Sequence, residues 1–245
     1  MHLFLTSSPC DNHVPAGCDL PCIFFERNHF VELLRARFQP GCSCVMIAST
    51  PNAYDRNDEM TQTFHRAFLY HGMALTRTTI VDDRNADQLP ALLAESGVVL
   101  LSGGHVPTEN AFFARLGLKA LLRDYPGIVM GISAGTMNCC DPVYAQPEEP
   151  GEATDPAYQR FLPGLGLTDV MVLPHYQMVR DNRVDGLRLF EDITLPDSRG
   201  RTFYALVDGS FVLVEHGAAT LYGEAWRIRD GVMTRISGEG DVCRL

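Results

Sequence analysis

Short apolar runs along the chain alternate with segments whose apolar residues recur at helical spacing. The apolar runs predict strands over residues 2–6, 44–49, 74–81, 98–101 and 128–132. The segments between them predict helices over residues 24–38, 58–71, 86–95 and 110–123. Because such alternation requires crossover connections, it predicts an α/β fold with a mainly parallel sheet and helices on both faces.

The second half of the chain is less regular. Residues 141–163 are rich in Pro, Glu and Gly and predict a long loop. A strand over 170–173 and a helix over 184–190 follow, and residues 203–214 alternate through a turn at Asp208-Gly209. A C-terminal β-hairpin is predicted over 225–236 from Asp230-Gly231. Since no repeat or linker is evident, the simplest organisation is one α/β domain over residues 1–245.

The strongest chemical signal is Gly131-Ile132-Ser133-Ala134-Gly135, directly after a predicted strand. The glycines on either side allow a sharp strand-to-helix turn that lifts the Ser133 hydroxyl above the sheet edge. The N–H of Ala134 then lies at a helix start, where it can stabilise an oxyanion. A tight turn without chemistry is the alternative, but the strand before it and the helix after it favour a catalytic serine.

A serine nucleophile needs a base to accept its proton. His175 directly follows a predicted strand and precedes a polar loop, so it is the candidate base. His105 is its rival and is assigned instead to the substrate pocket. The neighbouring Gly103-Gly104 is the candidate for the second oxyanion donor, because a backbone without side chains can approach a substrate closely.

The carboxylate that would orient the base stays open at this point. Asp208, at the turn after an apolar run, is one candidate, although a turn Asp is most often only a turn residue. The other candidates lie in the predicted loop and are Asp141, Glu148, Glu149 and Glu152.

Taken together, three motifs resemble the peptidase E (aspartyl dipeptidase) family, whose members are related to cyanophycinase. They are Leu101-Ser102-Gly103-Gly104-His105, the turn at Ser133, and Pro174-His175-Tyr176. The resemblance extends from Met1 to about Val214. The chain order serine, histidine, acid also fits, whereas ordinary α/β-hydrolases have serine, acid, histidine. The resemblance implies a fold like that of class I glutamine amidotransferases, which is flavodoxin-like.

The resemblance also implies a role for individual residues. Ser133 would be the nucleophile and His175 the base, and the backbone amides of Gly104 and Ala134 would form the oxyanion hole. The family usually has Glu as the acid, in the turn after the next strand. Asp208 occupies that place with a shorter side chain.

The family's best-known activity is the release of N-terminal aspartate from dipeptides, which implies a cation in the substrate site. Arg183 best fits the family's specificity arginine, and Arg180 lies near it; solvated arginines at a helix start are the alternative. His105 stands where the family commonly has Asn, which would alter substrate preference. Two other functions stay open: a cyanophycinase-like or other amide or ester hydrolase, and a non-catalytic small-molecule-binding protein.

The composition of the chain limits the kinds of partner that we expect it to bind. The formal net charge of -10, without a cluster of Lys and Arg, argues against nucleic acid. The sequence has neither a membrane-length apolar run nor a signal peptide, so a cytoplasmic enzyme is expected. Cys10, Cys18 and Cys22 form the only cysteine group worth testing for metal, and no metal or cofactor is expected. The expected partner is a small peptide, and a homodimer is left open.

Overall fold

The computed structural model describes all residues from 1 to 245. In chain order the strands are β1 (His2–Thr6), β2 (Cys10–Asp11), β3 (Ile23–Phe24), β4 (Ser43–Ile47), β5 (Thr78–Val81), β6 (Ser96–Leu101), β7 (Ile128–Ile132), β8 (Val143–Tyr144), β9 (Phe161–Leu162), β10 (Met171–Leu173), β11 (Arg183–Val184), β12 (Leu187–Arg188), β13 (Thr202–Leu206), β14 (Phe211–Glu215), β15 (Ala218–Tyr222), β16 (Ala225–Arg229), β17 (Val232–Ser237) and β18 (Val242–Arg244).

The α-helices are fewer, and the longest of them has 17 residues. They are α1 (Phe30–Arg37), α2 (Tyr54–Tyr70), α3 (Leu89–Ala94), α4 (Val106–Arg115), α5 (Leu118–Leu122), α6 (Ala134–Asn138), α7 (Tyr176–Val179) and α8 (Leu195–Asp197). None of the helices combines the length and the apolar composition that a membrane span requires.

The largest sheet has eight strands in the order β18-β15-β14-β1-β7-β6-β4-β5. Strands β1, β7, β6, β4 and β5 run parallel to one another. The remaining three strands extend the sheet from β1 as antiparallel neighbours. This arrangement confirms the predicted α/β fold with a mainly parallel sheet.

Helices cover both faces of the parallel strands. The chain crosses the sheet in one direction through α1 and α2, and returns through α3, α4 and α5. Right-handed crossovers place these two groups on opposite faces. On the first face Phe24 packs edge-to-face against Phe30 and Phe68, with ring centroids 5.8 and 5.0 Å apart. These side chains and the central strands form one continuous apolar core.

A second sheet, in the order β10-β13-β16-β17, carries the base of the candidate site. Its apolar side packs with α6 in a second core that includes Met137, Leu173 and Phe203. Strands β16 and β17 form the predicted C-terminal hairpin, in which Asp230 and Gly231 have φ of 50° and 81°.

Strands β13 and β14 are consecutive but do not pair with each other. β13 lies in the second sheet between β10 and β16, whereas β14 lies in the large sheet between β1 and β15. The alternating residues 203–214 therefore form strands of two different sheets, and the turn at Asp208-Gly209 joins them.

Three predicted helices are wrong in part or in full. Residues 184–190 form no α-helix, since β11 and β12 make a hairpin there and the π-helical segment Leu189–Thr194 follows it. Its turn residues Asp185 and Gly186 have φ of 52° and 84°, which is the geometry that Asp-Gly favours. The helix predicted over 110–123 is divided into α4 and α5 at Gly117, where φ is 63°. The helix predicted from residue 24 begins at Phe30, because residues 23 and 24 pair with β2.

The predicted loop over 141–163 contains one short pairing, that of β8 with β9. All eight cysteines are unpaired. No group of three or more His, Cys, Asp or Glu side chains has the arrangement to hold a metal ion.

Candidate active site

The candidate site lies at the carboxyl edge of the large sheet. Since parallel strands end at the same edge, the residues that follow them come together there. Ser7 follows β1, Ser49 follows β4, Gly103 and Gly104 follow β6, and Ser133 follows β7. The polar and glycine residues at this edge provide both side-chain and main-chain groups for chemistry.

Ser133 occupies the sharp turn that the glycine pattern predicts. Its backbone has φ 54° and ψ -114°, a conformation that a non-glycine residue adopts only under strain. The Ser133 N–H donates to the carbonyls of Thr6 and Ser7 at 3.2 and 3.0 Å, and these bonds hold the strained turn. The hydroxyl is thereby presented at the sheet edge and at the start of α6.

Close packing requires the two glycines of this turn. A Cβ on Gly131 would lie 2.6 Å from Cα of Thr136, well inside van der Waals contact. A Cβ on Gly135 would collide with the carbonyl group of Leu101. Helix α6 can therefore approach β6 and β7 only because both positions lack a side chain.

Ser133, His175 and Asp208 form a continuous hydrogen-bonded row. The Ser133 Oγ lies 2.9 Å from Nε2 of His175, and Nδ1 of the same ring lies 2.7 Å from Oδ1 of Asp208. The imidazole is partly exposed, with 29% of its side-chain surface accessible. A substrate can therefore reach the hydroxyl and the base from the same side.

Asp208 is the acid among the open alternatives that reaches the base. Burial acts to raise the pKa of Asp208, but hydrogen bonds from His175, Ser7 and Gln177 outweigh it and leave the pKa below its usual range. Ser7 Oγ donates to Oδ1 at 2.7 Å, and Gln177 Nε2 donates to Oδ2 at 2.7 Å. The carboxylate is therefore charged near neutral pH and can stabilise a protonated imidazole.

Two main-chain donors face the same space. The N–H groups of Gly104 and Ala134 donate no hydrogen bond within the protein, and both residues line the cavity next to Ser133. Ser49 Oγ donates to the carbonyl of Gly103 at 2.8 Å. Because a trans peptide directs its N–H opposite to its C=O, this bond fixes the direction of the Gly104 N–H. Such free donors are suited to an oxyanion.

Gly104→Ala is expected to lower kcat of peptide hydrolysis by about 100- to 1000-fold with little change in KM. An added Cβ would lie 2.5 Å from Ser49 Oγ and 2.7 Å from Ser49 Cβ, so Ser49 or the Gly103-Gly104 peptide has to shift, and the hydrogen bond that directs the Gly104 N–H is disturbed. Steady-state kinetics together with thermal unfolding would measure this. A folded variant with wild-type kcat would show that Gly104 supplies no oxyanion donor.

The cavity at this edge has a volume of about 300 Å³. Besides the serine and the histidine, its lining includes Glu148 from the long loop and Arg183 from β11. Although Glu148 as a residue is exposed, protein atoms crowd its carboxyl group, and this partial burial raises its pKa. The cavity therefore contains one acidic and one basic side chain near the nucleophile.

The structure does not bring His105 and Arg180 to this cavity. His105 Nε2 lies 2.7 Å from Oε1 of Glu152, outside the cavity lining. Arg180 points to solvent and pairs with Asp181 at 3.2 Å. Of the three predicted substrate-binding residues, only Arg183 lines the cavity, and their roles stay predictions.

Sequence reasoning missed two residues that contact the acid. Ser7 follows a parallel strand at the same edge as Ser133, and that position is the signal that could have found it. Gln177 lies in α7, two residues after the base, and its Oε1 also accepts the Asp208 N–H at 3.1 Å. No sequence pattern marks this contact, because the two residues meet only when the distant strands β10 and β13 pair in the second sheet.

A serine at a strained strand-to-helix turn, next to an imidazole that faces a carboxylate, has the geometry of the serine hydrolase class. A family model agrees: that of peptidase family S51 matches residues 27–222. The chain belongs to this family and is a serine-type peptidase. The resemblance to peptidase E is thus confirmed.

Solved structures show the same fold. A candidate peptidase E protein from Listeria monocytogenes EGD-e superimposes with a TM-score of 0.56 at 16% sequence identity. The match covers 96% of this chain and 98% of that chain. No curated protein matches the chain at a significant level.

Proposed function

We propose that the protein hydrolyses short peptides through an acyl-enzyme, with Ser133 as the nucleophile. The observation that carries this proposal is the 2.9 Å contact between Ser133 Oγ and His175 Nε2 beside two free main-chain donors. Asp208 supports it by holding the opposite ring nitrogen at 2.7 Å, so that Nε2 is the nitrogen that faces the serine.

The first half of the reaction forms the acyl-enzyme. His175 accepts the Ser133 proton while Oγ attacks the scissile carbonyl carbon. The carbonyl oxygen becomes an oxyanion, to which the N–H groups of Gly104 and Ala134 donate. The protonated His175 then gives its proton to the leaving amine, and the peptide C–N bond breaks.

The second half releases the acid product. A water molecule takes the place of the departed amine and loses a proton to His175 as it attacks the ester carbonyl. The same two N–H groups stabilise the second oxyanion. His175 returns the proton to Ser133 Oγ as the ester bond breaks, so the enzyme is regenerated.

The size of the cavity supports a short substrate. Ligand sites of about 300–1,000 Å³ enclose small molecules rather than polymer chains. The cavity here lies at the lower end of that range, at about 300 Å³. It therefore suits one substrate residue on the acyl side of the scissile bond.

The charges of the cavity support a substrate with a free N-terminus and an acidic first residue. Glu148 would pair with the α-ammonium group, and Arg183 with the side-chain carboxylate. Arg183 Nη1 donates to the carbonyl of Gly186 at 2.9 Å, which leaves other guanidinium donors for a ligand. The proposed substrate class is therefore Asp-X dipeptides, in agreement with what the family resemblance implies.

Arg183→Gln is expected to lower kcat/KM for Asp-X dipeptides by roughly 10- to 100-fold, because a charge-assisted pair is lost. The rate for a neutral Ala-X dipeptide should change less than twofold. Arg188→Gln is the matched control, since Arg188 lies opposite Arg183 in the same hairpin and pairs with Asp192 at 2.7 Å. A panel of Asp-X dipeptides, β-aspartyl peptides and simple esters measures the preference.

Two outcomes of that panel would contradict the substrate assignment. Faster hydrolysis of β-aspartyl peptides or esters than of Asp-X dipeptides would assign the protein to another amide or ester hydrolase of this fold. Equal loss for Asp-X and Ala-X substrates in Arg183→Gln would show that this arginine does not recognise the acidic side chain.

A further inference from the structure

We propose that Ser7 is a positioning residue that fixes Ser133, His175 and Asp208 relative to one another. This inference rests on the proposed function of these three residues. Ser7 is the residue after β1, and it is fully buried at 0% exposure. It lies where the large sheet meets the second sheet, and it contacts each of the three residues directly.

The side chain of Ser7 connects the base to the acid. Its Oγ accepts the main-chain N–H of His175 at 2.7 Å. The same oxygen donates to Oδ1 of Asp208 at 2.7 Å, while the Leu206 carbonyl lies farther away at 3.4 Å. Because a hydroxyl has one proton and two lone pairs, these two bonds use it in a single orientation.

The main chain of Ser7 connects the same point to the nucleophile. Its carbonyl accepts the Ser133 N–H at 3.0 Å and so supports the strained turn. Its own N–H donates to the carbonyl of Ser210 at 3.3 Å, which anchors it to the start of β14. One buried residue thus fixes the nucleophile, the base and the acid relative to one another.

Each of the contacted groups needs such support. His175 has φ 57°, a left-handed conformation that is costly for a non-glycine residue, and its N–H has Ser7 Oγ as its partner. Oδ1 of Asp208 receives both the imidazole and the Ser7 hydroxyl, which restricts the carboxylate to one rotation. Loss of the hydroxyl would remove one of three hydrogen bonds to the carboxylate and the partner of the His175 N–H at the same time.

The test compares Ser7→Ala with wild type, with Ser7→Thr, which keeps the hydroxyl, and with Ser210→Ala as the matched control. Ser210 is equally buried at 1% exposure, and its Oγ has no hydrogen-bond partner. Two rates are measured: the hydrolysis of Asp-X dipeptides, and the labelling of Ser133 by a fluorophosphonate. Both are normalised by active-site titration, so unfolded protein does not count.

Ser7→Ala is expected to lower kcat and the labelling rate by about 10- to 100-fold, since sub-ångström misplacement of a base has effects of this order. KM should stay within twofold of wild type. The acid limb of the kcat/KM profile should move to higher pH, because a carboxylate with one donor fewer attracts the imidazole proton more strongly. Ser7→Thr should recover most of the titrated activity, and Ser210→Ala should match wild type.

Separate outcomes overturn this inference and the proposed function. A titrated Ser7→Ala enzyme with wild-type kcat and an unmoved pH profile overturns the role of Ser7 alone. So does a fall in rate that Ser210→Ala reproduces. A wild-type protein that neither cleaves dipeptides nor is labelled at Ser133 overturns the proposed function, and the role of Ser7 with it.

Discussion

Ser133→Ala is expected to reduce peptide hydrolysis by about 10⁶-fold, since removal of the nucleophile disables both halves of the reaction. The fold should persist, because Ser133 supports the turn through its main chain rather than through its hydroxyl. The measurement is steady-state hydrolysis of Asp-X dipeptides, with circular dichroism and thermal unfolding as checks of the fold. A fluorophosphonate should label wild type at this residue and leave the variant unlabelled.

The two cysteines close to Ser133 along the chain provide the control for this result. Cys139 and Cys140 lie in and just after the turn that follows α6, close to Ser133 along the chain. Burial raises the pKa of Cys140 to about 12 and that of Cys139 well above the usual range, so neither is a thiolate near neutral pH. Cys140→Ala should retain activity. Full activity in Ser133→Ala, together with loss of activity in Cys140→Ala, would show that the nucleophile is the Cys140 thiol and not the Ser133 hydroxyl.

Asp208→Asn is expected to lower kcat by about 10⁴-fold with little effect on KM. An amide nitrogen placed 2.7 Å from Nδ1 would donate to the ring instead of accepting from it. The imidazole proton would then reside on Nε2, where the ring can no longer take the serine proton. The activity of the variant should stay low across the pH range. The substitution changes which ring nitrogen carries the proton, and not how many protons the ring carries.

Asp141→Asn is the control for this second variant. Asp141 is one of the acids that the sequence leaves open, and the structure places it at the surface, where it pairs with Lys119. Its replacement should leave kcat within twofold of wild type. A loss in Asp141→Asn comparable to that in Asp208→Asn would contradict the assignment of the acid.

Local features of the site were predictable because their geometry is encoded over a few residues. The turn at Ser133 depends on two glycines between one strand and one helix, and His175 follows directly on a short apolar strand. Residue patterns alone left the acid open and only the family resemblance implied Asp208, since Asp208 belongs to a turn between two sheets whose partners are distant in sequence. Ser7 lies 126 positions before Ser133 in the chain and escaped notice for the same reason.

The helix predicted over 184–190 failed for a local reason. Residues 184–190 carry apolar side chains at spacings that suit a helix, but Asp185-Gly186 is a strong hairpin turn, and the turn prevailed. This difference also separates the two candidate arginines. The hairpin places Arg183 at the cavity, whereas Arg180 directly follows α7 and faces solvent.

Ser133, His175 and Asp208 are distributed over two sheets, so their chemistry depends on how the two sheets pack against each other. Ser133 is carried by the large sheet and His175 by the second sheet, and Asp208 sits on the connection between them. A substitution deep in the second core, far from any substrate, can therefore slow the reaction by changing the orientation of the second sheet relative to the large sheet. The rate of hydrolysis should therefore report the relative position of the two sheets. Under mildly denaturing conditions it should fall before either sheet loses its own strand pairing.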